Sequence, residues 1–375
     1  MKLIVRRVPG LETSTSFYAE WELLDKKIFP RTPFTSPLWL GLWWKHLRRQ
    51  HLLFRDEFFW HIVRDTDGHL VAIAPLMRTY CPGFGLPVMR IVQFFGTDPS
   101  LTEIRGIICR PEDQDKVIQA FTEYFLERPS EWDVFRWDGL RRTVSSYKSL
   151  ATRSVSILKP GVPDYIISLP GNWDELRARV SANMRKNLRK AYESLERGGF
   201  SFFLRVVEQS DDVSPGIDRF LSLHAARSKA VDMVNHPNRF AKSQTRAFLV
   251  EYLHQLACEG ILKIFELEIN GIIVASRLSF LFESELYVYF SGYDPTWKKY
   301  SVMTILMSEI LKWAISHDVQ YINLSTGRDQ SKLRWKPAEL MFYSSVQTSP
   351  SLRAKLAFPV FWTYSTLSRI RDLIV

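Results

Sequence analysis

From Leu262 to Ile269 and from Ile272 to Leu281 the chain is mostly apolar with interspersed polar residues, and the two stretches flank Asn270-Gly271. Both residues of that dipeptide tolerate positive φ, which predicts a two-residue hairpin turn. After Glu283-Ser284, the alternation of Glu285–Ser291 predicts a third strand. Ser301 then opens a run with apolar residues at Val302, Leu306, Ile310, Trp313 and Ala314, the spacing of a helix. Val319–Leu324 predicts another strand and Ser325–Lys332 a polar loop.

The first half repeats this order. Strands are expected at Phe58–Arg64 and His69–Tyr80 around a turn at Asp65–Gly68, a helix near Asp113–Glu127, and a strand at Val134–Trp137 leading into Asp138-Gly139. Val71-Ala72 and Val274-Ala275 occupy comparable places in the two second hairpin strands, as a duplicated chain would have them. Between the halves, Lys159-Pro160-Gly161-Val162-Pro163 reads as a connector, because its prolines and glycine interrupt helix and strand alike. Beyond it, Asn172 and Glu175 form a capping-box-like start, and Leu176, Val180, Met184, Leu188, Ala191 and Leu195 make one stripe up to Gly198-Gly199. One long amphipathic helix is expected over Asn172–Arg197. The expected division is residues 1–160, residues 161–350 and a basic amphipathic tail, residues 351–375.

The length of 375 residues suits two cores rather than one. With 46% hydrophobic and 24% charged residues, the chain has the material to fill them. Its net charge of +10 favours anionic partners such as nucleotides, nucleic acid, acidic lipid or phosphorylated precursors. Cys81, Cys109 and Cys258 are far apart without a CxxC pair, and the eight histidines show no ligand spacing, which argues against disulfides and against a metal site. The start lacks the order of a signal peptide, and Leu356–Ser368 is interrupted by Pro359 and shorter than the about 20 residues a spanning helix needs. A cytoplasmic protein is expected. The tail's mixture of Arg353, Lys355, Arg369 and Arg371 with Leu356, Phe358, Phe361, Trp362 and Tyr364 suits either an anionic membrane surface or packing on the second domain. No DNA-binding motif accompanies the positive charge.

Three segments are candidates for chemistry. Arg185/Arg189 and Lys186/Lys190 stand at i,i+4 on the stretch 172–197, which makes one face basic: a solvated surface or an anion-binding one. Lys298 and Lys299 precede the helix start at Ser301, where backbone N–H groups and the dipole would favour a pyrophosphate, or where the chain simply turns. The loop Ser325 to Trp335 gathers Gly327, Arg328, Asp329, Lys332, Arg334 and an aromatic just after a buried strand, where α/β sites collect.

Tyr293-Asp294-Pro295, the Lys298–Leu306 turn into a helix, and Gly327 through Trp335 resemble the C-terminal half of the GNAT-type family that includes CelD-like cellulose-biosynthesis proteins, with Fem peptidyl transferases as more distant relatives. Glu196-Arg197-Gly198-Gly199 and Leu223-His224-Ala225-Ala226-Arg227 resemble the segments that precede the core hairpin there. The resemblance covers about Pro170–Tyr343. It implies an α/β fold of mixed sheets in tandem GNAT-like domains, each a bent mixed sheet with helices on both faces, and transfer of an acyl group to an amine.

Carried over residue by residue, the resemblance places acetyl-CoA or another acyl-CoA at Lys298, Lys299, Ser301, Val302 and Met303, with the pantetheine beside Tyr289. Within that frame Lys332 is expected to orient or stabilise the reacting carbonyl and Asp329 to accept the proton or position its acceptor, while His224, Arg227, Tyr293, Arg328 and Trp335 are expected at the acceptor, an amine of a small molecule or of a polysaccharide or envelope precursor. Two positions depart from the pattern. The phosphate turn reads Lys298-Lys299-Tyr300-Ser301-Val302-Met303 without glycine, and Ser331 stands before Lys332 where relatives carry an aromatic. An aminoacyl-tRNA-dependent transferase of Fem type, or a non-catalytic accessory protein of exopolysaccharide biosynthesis, would be compatible with both.

Overall fold

The computed structural model describes residues 2–10, 15–98, 101–141, 156–230, 236–359 and 363. The chain folds as two compact units, Met1–Val162 with Met341–Val375, and Pro163–Leu340.

The first unit contains strands β1 (Ile4–Arg7), β2 (Arg55–Phe58), β3 (His61–Arg64), β4 (Leu70–Ala74), β5 (Leu76–Cys81), β6 (Met89–Phe94), β7 (Ile108–Cys109) and β8 (Val134–Arg141). Helices α1 (Thr15–Asp25), α2 (Pro37–Leu47) and α3 (Gln114–Leu126) accompany them. The two expected first-half strands are each broken once, at Phe59-Trp60 and at Pro75, so that β1-β3-β4-β7 and β2-β5-β6-β8 fall in different sheets. Proline cannot donate to a ladder, which explains the second break.

The second unit begins within β9 (Ser156–Ser168), which leads to α4 (Trp173–Arg179), α5 (Ala182–Arg197), β10 (Phe202–Val207), α6 (Ser210–Ser228) and α7 (Ser243–Cys258). The expected hairpin follows as β11 (Leu262–Ile269) and β12 (Ile272–Phe282), with Asn270 at φ 48° and Gly271 at φ 82° in the turn. Then come β13 (Glu285–Tyr293), α8 (Val302–Ser316), β14 (Tyr321–Thr326) and α9 (Gln330–Leu333), and the chain leaves the unit along β15 (Ala338–Thr348).

Strand order carries the duplication. The second unit runs β10-β11-β12-β13-β14-β9, all antiparallel except the β13–β14 pair. With β2/β3 and β4/β5 each counted as one bent strand, the first unit runs β1-β2/β3-β4/β5-β6-β8-β15, again antiparallel except for β6–β8. Val71-Ala72 lies in β4 and Val274-Ala275 in β12, the second hairpin strand of each order.

Three expectations are corrected. The proline-rich connector contains the division between the units, after Val162, but it does not interrupt the strand: it is part of β9, and its prolines precede residues 164–168, which pair with β14. The single helix over Asn172–Arg197 is two, because Val180 is extended and Ser181 caps α5, its hydroxyl accepting from Met184 N–H. The buried stripe nonetheless continues across the break through Leu176, Val180, Met184, Leu188, Ala191 and Leu195. Burial of each leucine stabilises by roughly 1.5–3 kcal/mol, enough to outweigh one missing helical turn. Finally, residues 341–350 belong to the first unit rather than the second, because residues 342–348 pair with β8. The start of the tail, residues 352–359, is helical and also lies in the first unit, where Ala357 joins the cluster of Met89, Ile91 and Val134. The rest of the tail, apart from Thr363, lies outside the described residues. Among the described residues no helix is long and apolar enough to cross a membrane.

Candidate functional site

Strands β13 and β14 pair in parallel only from Glu285/Tyr321 to Tyr287/Asn323. Beyond that point they part. On one side the β12–β13 register shifts, with Arg277 opposite Ser291 but Ser279 opposite Val288, a bulge that re-aims the side chains around Tyr289. On the other, Ser325 takes φ 66°, its N–H donating to Asn323 Oδ1 at 2.7 Å while Asn323 Nδ2 donates to Asp164 Oδ2 at 2.7 Å.

The wedge holds a cavity of about 100 Å³. Tyr289, Met303, Met307 and Leu324 supply apolar walls, and Ser291, Ser325, Ser331 and the Trp335 indole face the same space. Four cations line it: Arg227, Arg277, Lys332 and Arg334. Among the described residues no carboxylate does.

Helix α6 brings Arg227 in through a close backbone contact. A Cβ on Gly292 would lie 2.3 Å from His224 N, so only glycine lets α6 cross β13 there. Arg227 Nη1 donates to Ser291 Oγ at 2.8 Å and Nη2 to His236 Nε2 at 2.7 Å, while its Nε is buried without a partner. Arg277 donates from Nη1 to the Met307 sulfur at 3.3 Å, and its Nε is likewise buried and unpartnered. Burial, together with the positive charges of Arg227 and Arg334, pushes Arg277 down to about 10. It remains protonated at neutral pH. Burial also lowers Arg227 and Arg334, with Asp329 opposing the shift in both.

Among the sequence-predicted residues, Tyr289, Met303, Arg227, Lys332 and Trp335 come together in the wedge. Lys332 Nζ donates to Ser325 O (3.1 Å), Ser325 Oγ (3.0 Å) and Thr326 O (2.5 Å), pinning the end of β14. Trp335 is buried, and its Nε1 has no partner. Asp329 caps α9, accepting from Ser331 N–H at 2.7 Å. Partial burial pushes its pKa up, but the Ser331 hydrogen bonds and the nearby Lys332 and His236 outweigh that and hold it below the usual carboxylate range.

Other predicted residues lie outside the cavity wall. His224 is held on both ring nitrogens, Nδ1 at 3.0 Å from Ser291 O and Nε2 accepting from Arg239 N–H at 3.4 Å, and burial with Arg227 and Arg239 lowers its pKa. Tyr293 is buried beneath the Arg227 guanidinium, 5.6 Å from ring centroid to Cζ. Arg328 is exposed. Lys298, Lys299 and Ser301 are exposed at the start of α8, with Ser301 in the left-handed region at φ 55°, whereas Val302 is buried in the core.

Sequence reasoning missed Arg277 and Ser291, and held Arg334 only as one charge of the candidate loop. Arg277 is the one charged residue of β12, a strand otherwise apolar or small, and that was the available signal. Among the described residues, Asp65, Asp67 and His69 could together hold a cation, but they form the β3–β4 turn, where the Asp65 carboxylate accepts from the N–H groups of Asp67 and His69.

The first unit differs at the equivalent place. Its parallel pair β6–β8 also ends after three residues, at Gln93/Arg136. There Arg105 donates to Asp138 at 3.0 Å and to Gly96 O at 2.6 Å, and Gly106 packs against the Asp138 carbonyl. Segment 103–106 thus crosses that place with its arginine paired to Asp138, and of the two cavities it lines there, of about 60 and 80 Å³, the larger includes that carboxylate.

Residues 182–336 match the family model described as "Acetyltransferase (GNAT) domain". No curated protein matches the chain. Among solved structures, FemX is similar over 96% of this chain and 100% of its own, with 10% identity and a TM-score of 0.64. A conserved protein of unknown function from Bacteroides thetaiotaomicron is similar over 88% and 97%, with 11% identity and a TM-score of 0.50. At such identities the likeness is one of fold. The strand order and the family match make the second unit similar to a GNAT-type acetyltransferase domain. The family match stops short of the first unit, whose kinship rests on its strand order.

Proposed function

We propose that the protein transfers an acyl group from acyl-CoA to an amine whose carrier also bears an oxyanion, carboxylate or phosphate. The observation that carries this reading is the wedge itself, where three arginines and Lys332 surround a cavity with no carboxylate among the described residues of its wall. The phosphates of CoA lie a pantetheine arm away from its thioester, so an anion bound among these arginines belongs to the acceptor. Acidic and phosphorylated glycan or envelope precursors fall in that class.

In the reaction the amine nitrogen attacks the thioester carbonyl, the C–N bond forms and the C–S bond breaks. The amine loses a proton to water and the departing thiolate gains one. Tyr289 and Met303 flank the acyl arm, and Lys298, Lys299 and Ser301 receive the CoA phosphates at the start of α8. The unpartnered Trp335 Nε1 is the donor available to the developing oxyanion. Lys332 fixes the end of β14 beneath it, and Asp329 holds the cation cluster in place.

Titration with acetyl-CoA and longer acyl-CoAs, repeated on Lys299→Ala/Ser301→Glu, tests the donor. Saturable binding lost in the variant supports the reading; no binding by the wild type overturns it. A second reading has its own observation, since Arg185, Lys186, Arg189 and Lys190 are all exposed on α5. Aminoacyl-tRNA would use that face, and tRNA binding that disappears on changing these four residues to alanine would favour it.

A further inference from the structure

More than half of the large hydrophobic side chains exposed among the described residues fall in three short segments of the first unit: Leu52 and Leu53, then Phe84, Leu86 and Val88, then Leu352 and Leu356. Leu86 is 93% exposed and Leu356 80%. The segments are far apart in sequence but touch in space. Gly83 N–H donates to Leu52 O at 2.8 Å, Arg55 Nε to Gly83 O at 2.9 Å, and Arg353 Nη2 to Pro87 O at 2.7 Å. A Cβ on Gly83 would sit 2.3 Å from His51 O, so the first two loops meet backbone to backbone. Within helix 352–359, Ala354 and Ala357 are buried while Leu352 and Leu356, one turn apart, both face solvent.

Charge follows the same surface. Residues 48–55, 82–90 and 351–359 contain Arg48, Arg49, Arg55, Arg90, Arg353 and Lys355 and no acidic residue. The carboxylates that meet these cations are buried beneath them: Asp56 pairs with Arg49 at 2.9 Å, and Asp133 with Arg90 at 3.0 Å and Arg353 at 3.5 Å. Arg48 and Lys355 are exposed. The three segments therefore combine apolar tips with cations and carry no anion of their own.

We propose that this face docks on an anionic lipid bilayer, with the leucine and phenylalanine tips entering the headgroup boundary and the cations meeting lipid phosphates. Charge complementarity selects this occupant, since apolar tips set among cations match an anionic interface. In sequence the chain continues past Pro359 with Phe361, Trp362, Tyr364, Arg369 and Arg371, residue types that favour the same boundary.

The test is flotation of the full-length protein with phosphatidylcholine vesicles, with and without phosphatidylglycerol, at low and high salt. Wild type is expected to float with the anionic vesicles, less so at high salt. Leu53→Asp/Leu86→Asp is expected to lose at least tenfold in partitioning, whereas Leu23→Asp, similarly exposed but elsewhere on the unit, keeps it. Failure of the wild type to float, or flotation of the double variant like wild type, overturns the proposal. Sedimentation of both proteins without lipid covers the remaining case: a wild-type dimer that the double variant converts to monomer makes the face a self-interface and overturns the proposal as well.

Discussion

Arg277 on β12 stands directly opposite Ser291 on β13, and Ser291 Oγ accepts from Arg227 Nη1 at 2.8 Å. These contacts bring two guanidiniums to one cavity, and the Nε atoms of both lack a partner. Two buried cations held side by side repel each other and have lost water, and an anion placed between them relieves both costs.

Arg277→Met therefore separates stability from function. A buried cation with no ion pair, its burial opposed only by the charge of nearby Asp329, costs free energy, so replacement by an apolar side chain of similar length is expected to leave the melting temperature unchanged or raise it. Transfer to an anionic acceptor should fall by roughly 30-fold or more, the scale of a lost buried charge partner at about 2–5 kcal/mol. Saturable acyl-CoA binding should survive. Calorimetry and kcat/KM on the same preparation check all three, and an acceptor amine without an oxyanion should show no such loss.

Gly292→Ala tests how α6 reaches the site. The new methyl would lie 2.3 Å from His224 N and 2.6 Å from Leu223 C, both backbone atoms that cannot rotate away. Helix and strand must separate, at a cost of about 3 kcal/mol. Urea unfolding measures that cost, and activity should fall with it, because Arg227 rides on the displaced helix.

Most of the second unit was legible because its signals are local. The Asn270-Gly271 turn, the alternation of β13 and the spacing of α8 each follow from a few neighbouring residues. The break at Val180–Ser181 was missed because the apolar stripe passes through it unchanged, and only the Ser181 cap marks the new start. The connector holds the division between the two units, after Val162, yet its prolines, which signal interruption, lie within β9 ahead of residues 164–168, the ones that pair with β14. In the site, Lys332 and Trp335 were found from the loop that holds them. Arg277 and Ser291 become neighbours only through the β12–β13 bulge, a relation between strands that neither strand carries alone.

Lys332→Ala removes the donor to Ser325 O, Ser325 Oγ and Thr326 O. Leaving those partly buried acceptors without it should cost about 1–3 kcal/mol and loosen the end of β14 where the wedge opens. Transfer should fall by at least tenfold, and Lys332→Arg should restore stability better than rate, since a planar guanidinium does not fit a site built for one point donor. Equal stability of Lys332→Ala and wild type in urea would count against the pinning role.

The strongest pH dependence of stability is expected in the first unit, at His61. Its ring is fully buried, with Nδ1 2.8 Å from Phe59 O and Nε2 unpartnered, and burial, reinforced by the charges of Arg7, Arg128 and Arg78, lowers its pKa to about 3, opposed by the Phe59 hydrogen bond. The unfolded chain takes up a proton near pH 6.5, a reference value, while the folded protein does not until about pH 3. Between those values the unfolded state binds more protons, so stability rises with pH and is lost as pH falls below about 6.5. At about 1.4 kcal/mol per pH unit, moving from pH 7 to pH 5 should cost roughly 2 kcal/mol. His224, whose pKa is also lowered, adds a loss of the same sign in the second unit. Urea midpoints of wild type and His61→Leu at the two pH values isolate the contribution: the variant should lose that share of the pH slope, and an unchanged slope would show that His61 takes up its proton without opening the core.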